Sequence, residues 1–323
     1  MSPFRYAIIG AASISNKFAE AVALLPDACV CAIAARDLSR AQAFADRYGI
    51  PAAYGNYEEM LIKEKPDGVY IGVVTSKHFE LTMLCLKHKI PVICEKAMFT
   101  DLKQARECFE YAKEQNTFCM EAMWSRFLPA ILKAKSWIEE GKIGNVRYIT
   151  CNIGWTCEVD MNNRFYSKEL GGGAAYDLLV YSYELATFMH PAKIVKKQVV
   201  AEFAPTGVDT LSQVSLKFSD GVIASLSASI NTVLEEALVI CGDKGFIRVP
   251  CAHFAWEAYL HDSGRQIVEH FVDSVTKNGF TYEAQELIDC VKAGKLESEV
   301  ITHSETLASC EIYDMIFEGN NEI

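Results

Sequence analysis

The sequence predicts an α/β protein in two domains: an N-terminal doubly wound parallel sheet, then a C-terminal α+β domain with a large, mostly antiparallel open sheet. Three observations lead there. The first third alternates short apolar runs with amphipathic stretches of helical spacing. From Ile194 to His270 strand follows strand, with turn signals between them. The length, 323 residues of which 50% are hydrophobic, is enough for two cores.

The elements follow in order. Arg5–Ile9 is an apolar run closed by Gly10, and Ile14–Leu25 places Ile14, Phe18, Ala21, Val22 and Leu25 at the spacing of one helix face. Cys29–Ala35 is a second strand, and Ser39–Tyr48 a helix stopped by Gly49. Gly68–Val74, Pro91–Glu95 and Thr117–Glu121 continue the strands, with helices Phe79–Lys89 and Leu102–Glu114 between them. Continuous apolar strands separated by amphipathic helices make a parallel sheet covered on both faces, and right-handed crossovers wind it doubly.

The rhythm changes near Trp124, so the expected domains are 1–123 and 124–323. Phe127–Glu140 reads as a helix ended by Gly141, Val146–Trp155 as a strand, and Gly172–Met189 as one long helix. Strands Lys196–Phe203, Leu211–Phe218, Val222–Ile230, Ala237–Cys241, Phe246–Val249, Ala255–His261 and Gln266–His270 follow. Ser219-Asp220-Gly221 and Gly242-Asp243-Lys244-Gly245 supply hairpin turns. Helices Glu283–Ala293 and Ser304–Phe317 close the chain.

Composition narrows the function classes. With 31 basic against 42 acidic residues the formal charge is −11, and no basic cluster offers a nucleic-acid footprint. The 12 cysteines sit largely inside apolar runs, as small buried hydrophobes of a reducing cytosol do. No Cys-x-x-Cys occurs, so no metal is expected. No apolar run approaches the ~20 residues of a membrane span, and the N-terminus enters a strand without a basic leader. The expectation is a soluble, cytoplasmic protein with no nucleic-acid or membrane partner.

A dinucleotide fingerprint belongs at the first strand–helix turn, which reads Gly10-Ala11-Ala12-Ser13-Ile14-Ser15. Only the first glycine survives. Ala12 and Ser15 are small enough for close approach and helix packing, and the helix N-terminus still offers Ser13 and Ile14 to a pyrophosphate. An ordinary strand–helix turn would read the same way. The end of the second strand says more. An NAD site needs a carboxylate there for the ribose, whereas this chain has Ala35 followed by Arg36-Asp37-Leu38-Ser39-Arg40. A guanidinium pairs with a 2′-phosphate that a carboxylate would repel, so Arg36, with Ser39 and Arg40, favours NADP over NAD. Solvated surface arginines, with Asp37 serving the ribose, are the other reading.

Five segments carry a resemblance: Ala34–Ala41 (Ala-Ala-Arg-Asp-Leu-Ser-Arg-Ala), Cys94-Glu-Lys-Ala-Met98, Met120–Pro129, Gly171-Gly-Gly-Ala-Ala-Tyr-Asp177 with Tyr181, and Gly242-Asp-Lys-Gly245. In order and spacing they resemble the Gfo/Idh/MocA family of NAD(P)-dependent oxidoreductases, nearest its dihydrodiol dehydrogenase and D-xylose dehydrogenase branch. The resemblance spans essentially the whole chain. It implies a Rossmann domain, a C-terminal domain with an open sheet, and dimers or tetramers formed through that sheet. Two positions depart from the pattern: Ala97 stands where the family has the proline of Glu-Lys-Pro, and Leu179 where it has a helix glycine.

Lys96 follows the apolar run Pro91–Cys94, so it lies where open α/β sheets bind ligands. Asp177 and Tyr181, four apart, share one helix face. Moving hydride between a carbinol carbon and a nicotinamide also moves a proton on or off oxygen. Tyr181 can carry it, eased by a charged Lys96 that would lower the phenol's usual value of about 10. Asp177 would bind a substrate hydroxyl. The resemblance further implies that Glu95, Trp124 and Arg126 lie near the cofactor. Thr75 and His78 would line the same cleft, although His78 also suits a helix start. Trp155, Phe165 and Tyr166 could wall the substrate pocket or simply fill the core, as Trp124 could serve interdomain packing. The expected activity is an NADP-dependent dehydrogenation of a sugar, polyol or cyclic diol. A non-catalytic NADP-binding regulator is the alternative that Ala97 and Leu179 leave open.

Overall fold

The structure is a computed structural model describing residues 2–160 and 163–319. The chain divides into two units, Met1–Ala122 with Asn278–Leu307, and Met123–Lys277 with Ala308–Ile323.

In the first unit β1 (Phe4–Ile9), α1 (Ser13–Val22), β2 (Ala28–Ala34), α2 (Leu38–Tyr48), β3 (Ala53–Tyr54), α3 (Tyr57–Glu64), β4 (Gly68–Ile71), α4 (His78–Lys87), β5 (Val92–Glu95), α5 (Leu102–Glu114) and β6 (Cys119–Ala122) follow one another. All the strands pair in parallel, in the order β3-β2-β1-β4-β5-β6. This is the doubly wound order, whose crevice opens at the carboxyl ends of the strands. Strands β4, β5 and β6 are buried from end to end, which is why they read as unbroken apolar runs. Helices start where a side chain satisfies their leading amides. Asp37, Asn56 and Asp101 accept from the backbone N–H of Ser39, Glu59 and Gln104. Gly49 ends α2 in the left-handed region.

The second unit begins with a 3₁₀ turn over Trp124–Phe127 and α6 (Pro129–Glu139), which correct the single helix expected over 127–140. Leu128 is extended ahead of Pro129, as the residue before a proline prefers, and Pro129 opens the new helix. β7 (Val146–Gly154) leads to α7 (Val180–Met189), and then come β8 (Ile194–Phe203), β9 (Asp209–Phe218), β10 (Ile223–Ser229), β11 (Ala237–Gly242), β12 (Gly245–Pro250), β13 (Glu257–Asp262) and β14 (Ile267–Val272). The eight strands form one sheet, β14-β13-β12-β11-β7-β10-β9-β8, antiparallel except for the β7–β10 pair. Alternation decides its faces. β10 buries Ala224, Leu226 and Ala228 and turns Ile223, Ser225 and Ser227 the other way. Against the buried face lies α7, apolar nearly all round.

α8 (Phe280–Lys292) returns to the first unit, where it packs on α1 and its Ala284 carbonyl accepts the Tyr6 hydroxyl at 2.5 Å. α9 (His303–Glu318) ends the described chain. No described helix is long and apolar enough to cross a membrane, and among the described residues the 12 cysteines form no disulfide.

Candidate active site

In the first unit the turn after β1 is shaped by Gly10. Its φ is +103°, and a Cβ there would sit 2.4 Å from the Gly72 carbonyl oxygen and 2.6 Å from Val73 Cγ1. Ser15, in the last glycine position of the motif, is buried and donates its hydroxyl to the Gly10 carbonyl at 2.6 Å. α1 starts at Ser13 behind an extended Ala12 that offers no side-chain cap. The leading amides at Ser13 and Ile14 are therefore not consumed by a cap and suit a pyrophosphate.

Beyond β2, Ala35 is buried and Arg36 exposed. Asp37 is spent locally. Its Oδ1 accepts from the Ser39 amide at 2.8 Å and the Ser39 hydroxyl at 2.7 Å, and these contacts hold the carboxyl below its usual range. Arg40 reaches back across the turn to donate from Nη2 to the Ala11 carbonyl at 2.9 Å. The Arg40 guanidinium thus lies against the phosphate turn.

Thr75 lies half-buried in a 3₁₀ turn after β4. His78 heads α4 and is buried, with Nδ1 2.9 Å from the Ala97 carbonyl and Nε2 3.2 Å from that of Val73. Burial drops its pKa to about 4, so the ring is neutral and carries a single N–H. The shorter contact assigns that proton to Nδ1, donating to Ala97. His78 thereby ties the loop after β4 to the loop after β5.

β5 ends at Glu95, whose Oε1 accepts the Tyr70 hydroxyl at 2.6 Å. Burial pushes the Glu95 carboxyl up to about 7, although Tyr70 and Lys96 act in the opposite direction. Lys96 follows, half-buried at the strand's carboxyl end, and its peptide bond to the buried Ala97 is cis. Behind this strand end stands Glu283 of α8, fully buried, with no hydrogen-bond partner for either carboxyl oxygen among the described residues. Burial first, and the Glu95 charge second, hold it well above the ordinary carboxylate range.

In the second unit the expected long helix over 172–189 is corrected. Ala175–Leu179 forms a π-helical turn that runs into α7. The glycines before it allow this start: at Gly173, φ +119°, a Cβ would sit 2.3 Å from Asp209 Oδ1. Asp209 itself is buried, accepts the Ser212 hydroxyl at 2.6 Å, and is pushed up to about 6 by burial. Asp177 lies in the π turn, with Arg164 Nη1 at 3.2 and 3.0 Å from its two oxygens. The Arg164 guanidinium is stacked 3.9 Å from the Phe165 ring centre. Leu179 points wholly into the core.

Tyr181, 7% exposed, receives the Trp124 indole N–H at 3.1 Å. Its ring also meets His253, centroids 5.4 Å apart, and His253 in turn meets Trp155 at 6.1 Å. Tyr166 is 1% exposed, packed inside the unit rather than facing outward. Arg126 is fully buried: Nη2 pairs with Glu184 Oε2 at 2.6 Å, and Nε and Nη2 donate to the Glu184 carbonyl at 3.1 and 2.8 Å.

The structure therefore gathers Gly10, Ala12, Ser13, Ile14 and Arg40 at one turn, and Trp124, Trp155, Asp177 and Tyr181 around the start of α7. Arg164, Asp209, Glu236, His253 and Glu283 were missed from sequence. Each is an isolated polar residue with no motif spacing in the sequence. Among the described residues no group of three or more His, Cys, Asp or Glu side chains could hold a metal.

Residues 4–123 match a family model described as an oxidoreductase family with an NAD-binding Rossmann fold, and residues 131–248 match the GFO/IDH/MocA C-terminal domain. The chain is 31% identical over 323 residues to trans-1,2-dihydrobenzene-1,2-diol dehydrogenase of Xenopus tropicalis, covering 96% of each chain. It is 32% identical to the Danio rerio protein of the same name, covering 96% and 95%. Among solved structures it resembles an aldose-aldose oxidoreductase from Caulobacter crescentus, with TM-score 0.88, 19% identity and 99% of each chain covered. It also resembles a levoglucosan dehydrogenase, with TM-score 0.89, 17% identity and coverage of 100% and 99%. At such identities these two structures speak for the fold.

Proposed function

Because the chain belongs to the Gfo/Idh/MocA family of oxidoreductases, we propose that it moves hydride between NADP and a secondary alcohol of a sugar, polyol or cyclic dihydrodiol. The bound dinucleotide supplies or takes the hydride. Gly10, Ala12, Ser13 and Ile14 hold its pyrophosphate, and Arg36, Ser39 and Arg40 take the 2′-phosphate. Asp37, Thr75, His78 and Glu95 shape the remainder of that cleft, whereas Arg126, fully buried against Glu184, serves the packing of the second unit. Lys96 and Tyr181 handle the proton, Asp177 binds a substrate hydroxyl, and Trp124, Trp155 and Phe165 furnish apolar walls, while Tyr166 fills the core of the unit.

One observation carries the reading: the 3.1 Å bond from Trp124 Nε1 to the Tyr181 hydroxyl. It occupies a lone pair of the phenol oxygen and so turns the Tyr181 O–H away from Trp124. Lys96, as an ammonium, would ease departure of that proton. The preference for NADP is supported by Ala35 where an acid would serve a ribose, and by the Arg40 contact at the phosphate turn.

Cysteines that form no disulfide among the described residues support a reducing, cytoplasmic setting. The uncovered face of the second sheet, with Tyr148, Val239, Cys241 and Tyr259 along it, supports assembly into a dimer or tetramer.

The test begins with fluorescence titration of NADPH and NADH, where NADPH should bind more tightly. A panel of polyols and diols then seeks turnover. Tyr181→Phe and Lys96→Met should each lower kcat by about 100-fold or more. Full turnover in both variants would remove the assignment. Tight NADPH binding with no turnover on any alcohol would point to the regulator instead.

A further inference from the structure

Two carboxyl groups of the first unit are buried where the parallel sheet ends. Glu95, 5% exposed, closes β5, and Glu283 of α8, with no exposed surface, stands behind it. Both Glu283 oxygens lack a hydrogen-bond partner among the described residues. Glu95 has two local donors, the Tyr70 hydroxyl at 2.6 Å and the Lys96 backbone N–H, and feels the Lys96 charge through space. Among the described residues neither carboxyl has a salt bridge. Tyr6 of β1 also faces Glu283, but gives its hydroxyl to the Ala284 carbonyl. Glu121 of β6 pairs in register with Cys94, so it lies on the other face of the sheet from Glu95.

A buried carboxylate without a cation beside it is costly, so an acid in this position keeps its proton until a positive charge arrives. For Glu95 the threshold is close to neutrality: burial pushes it up to about 7, against the pull of Tyr70 and Lys96. Glu283 is held higher still, by burial first and by the Glu95 charge second. The two forms of a nicotinamide dinucleotide differ in the matching property, since the oxidised ring is a cation and the reduced ring is neutral. The fold says which half of the dinucleotide comes here. With the pyrophosphate at the β1 turn and the 2′-phosphate beyond β2, the nicotinamide half is left to the ends of β4 and β5. We infer that Glu95 discriminates between oxidised and reduced dinucleotide by a proton: its O–H bond breaks when NADP⁺ binds, the proton leaving to solvent, and stays intact under NADPH. The inference rests on the dehydrogenase reading above. Glu283, which has no exposed edge through which a proton could leave, stays neutral throughout.

Calorimetry in two buffers of different ionisation enthalpy counts the protons released when NADP⁺ and NADPH bind the full chain. The 2′-phosphate is common to both, so its own proton cancels in the difference. At pH 7 NADP⁺ should release about half a proton more than NADPH. The ratio of the two Kd values should move in favour of NADPH by about tenfold for each pH unit below 7, and level off above 8. Glu95→Gln should abolish the proton difference, while Glu283→Gln should retain it. Should Glu95→Gln fail to fold, Tyr70→Phe removes the hydroxyl that steadies the anion and should shift the pH dependence upward by about one unit. Equal proton release by the two nucleotides overturns the inference. So does a difference that survives Glu95→Gln, vanishes in Glu283→Gln or keeps its pH dependence in Tyr70→Phe. Binding of neither nucleotide would remove the dehydrogenase reading, and this one with it.

Discussion

Trp124 and Tyr181, 57 residues apart in the chain, meet through a hydrogen bond, indole N–H to phenol oxygen at 3.1 Å. The donor sits in the 3₁₀ turn that opens the second unit, the acceptor in the first turn of α7. Since an indole can only donate, the phenol proton is directed away from Trp124. Trp124→Phe keeps the apolar bulk and removes that constraint. A neutral hydrogen bond contributes about 1 kcal/mol, so kcat on a turned-over alcohol should fall roughly five- to tenfold. KM should stay nearly constant and the melting temperature should move little. Steady-state kinetics with a thermal melt checks this, and an unchanged kcat would mean that the bond only packs the site.

Cofactor choice is tested at Arg36. The side chain is exposed and follows the buried Ala35, so its removal should leave the fold unchanged. Arg36→Ser should weaken NADPH by about tenfold, the scale of one charge-assisted phosphate contact, while NADH stays within twofold. Equal loss for both nucleotides would mean that Arg36 meets the pyrophosphate rather than the 2′-phosphate. Fluorescence titration at two salt concentrations separates the cases, because a phosphate contact weakens with ionic strength.

Much of this architecture was legible because each parallel strand is apolar along its whole length, and because the second sheet alternates face by face. β3, two residues long, and α3, which buries only Met60 and Leu61 fully, carried too little apolar signal to be read. The return of α8 to the first unit was invisible for another reason: its partner, Tyr6, lies 278 residues from Ala284. Periodicity reports which face of a helix is apolar, not what covers it. The π turn over Ala175–Leu179 escaped likewise, since apolar spacing does not mark a π turn inside a helix. Lys96, Asp177 and Tyr181 were recognisable through the resemblance. Arg164, in a 3₁₀ turn 13 residues before Asp177, and His253 and Glu236 beside Tyr181 were not, because no local spacing marks them.

The buried pair Arg126–Glu184 gives a prediction about stability rather than chemistry. Both side chains are fully buried and 2.6 Å apart, and Ser309 donates its hydroxyl to Glu184 Oε1. Removing one partner strands a charge, which typically costs about 3–5 kcal/mol. Arg126→Met should therefore lower the urea midpoint sharply. Arg126→Met combined with Glu184→Leu should recover a large part of the loss, since no lone charge remains buried. A double variant as unstable as the single one would show that Arg126 matters through its contacts with the Glu184 carbonyl and Thr187 instead.

The final prediction concerns pH, and two sets of groups in the first unit pull in opposite directions. His78 is depressed to about 4 by burial, below its unfolded value of about 6.5. Its contribution is complete above that unfolded value and is lost as pH falls toward 4. Glu95, pushed up to about 7, and Glu283, raised further, behave oppositely. The unfolded chain releases those protons from about pH 4.5, so stability is fullest below that point and declines as pH rises through 7. Where only one raised carboxyl still holds its proton, each further pH unit costs about 1.4 kcal/mol. The first unit should thus lose stability on both the acid and the alkaline side, with the two slopes partly cancelling between about pH 4.5 and 6.5. Glu283→Gln keeps the shape and needs no proton, so the variant should gain on the parent from pH 6 to 9 and match it more closely at pH 5. Urea titrations across that range read the effect directly. Parallel curves for the two proteins would mean that Glu283 is ionised and paired in the folded chain, contrary to the burial of both its oxygens.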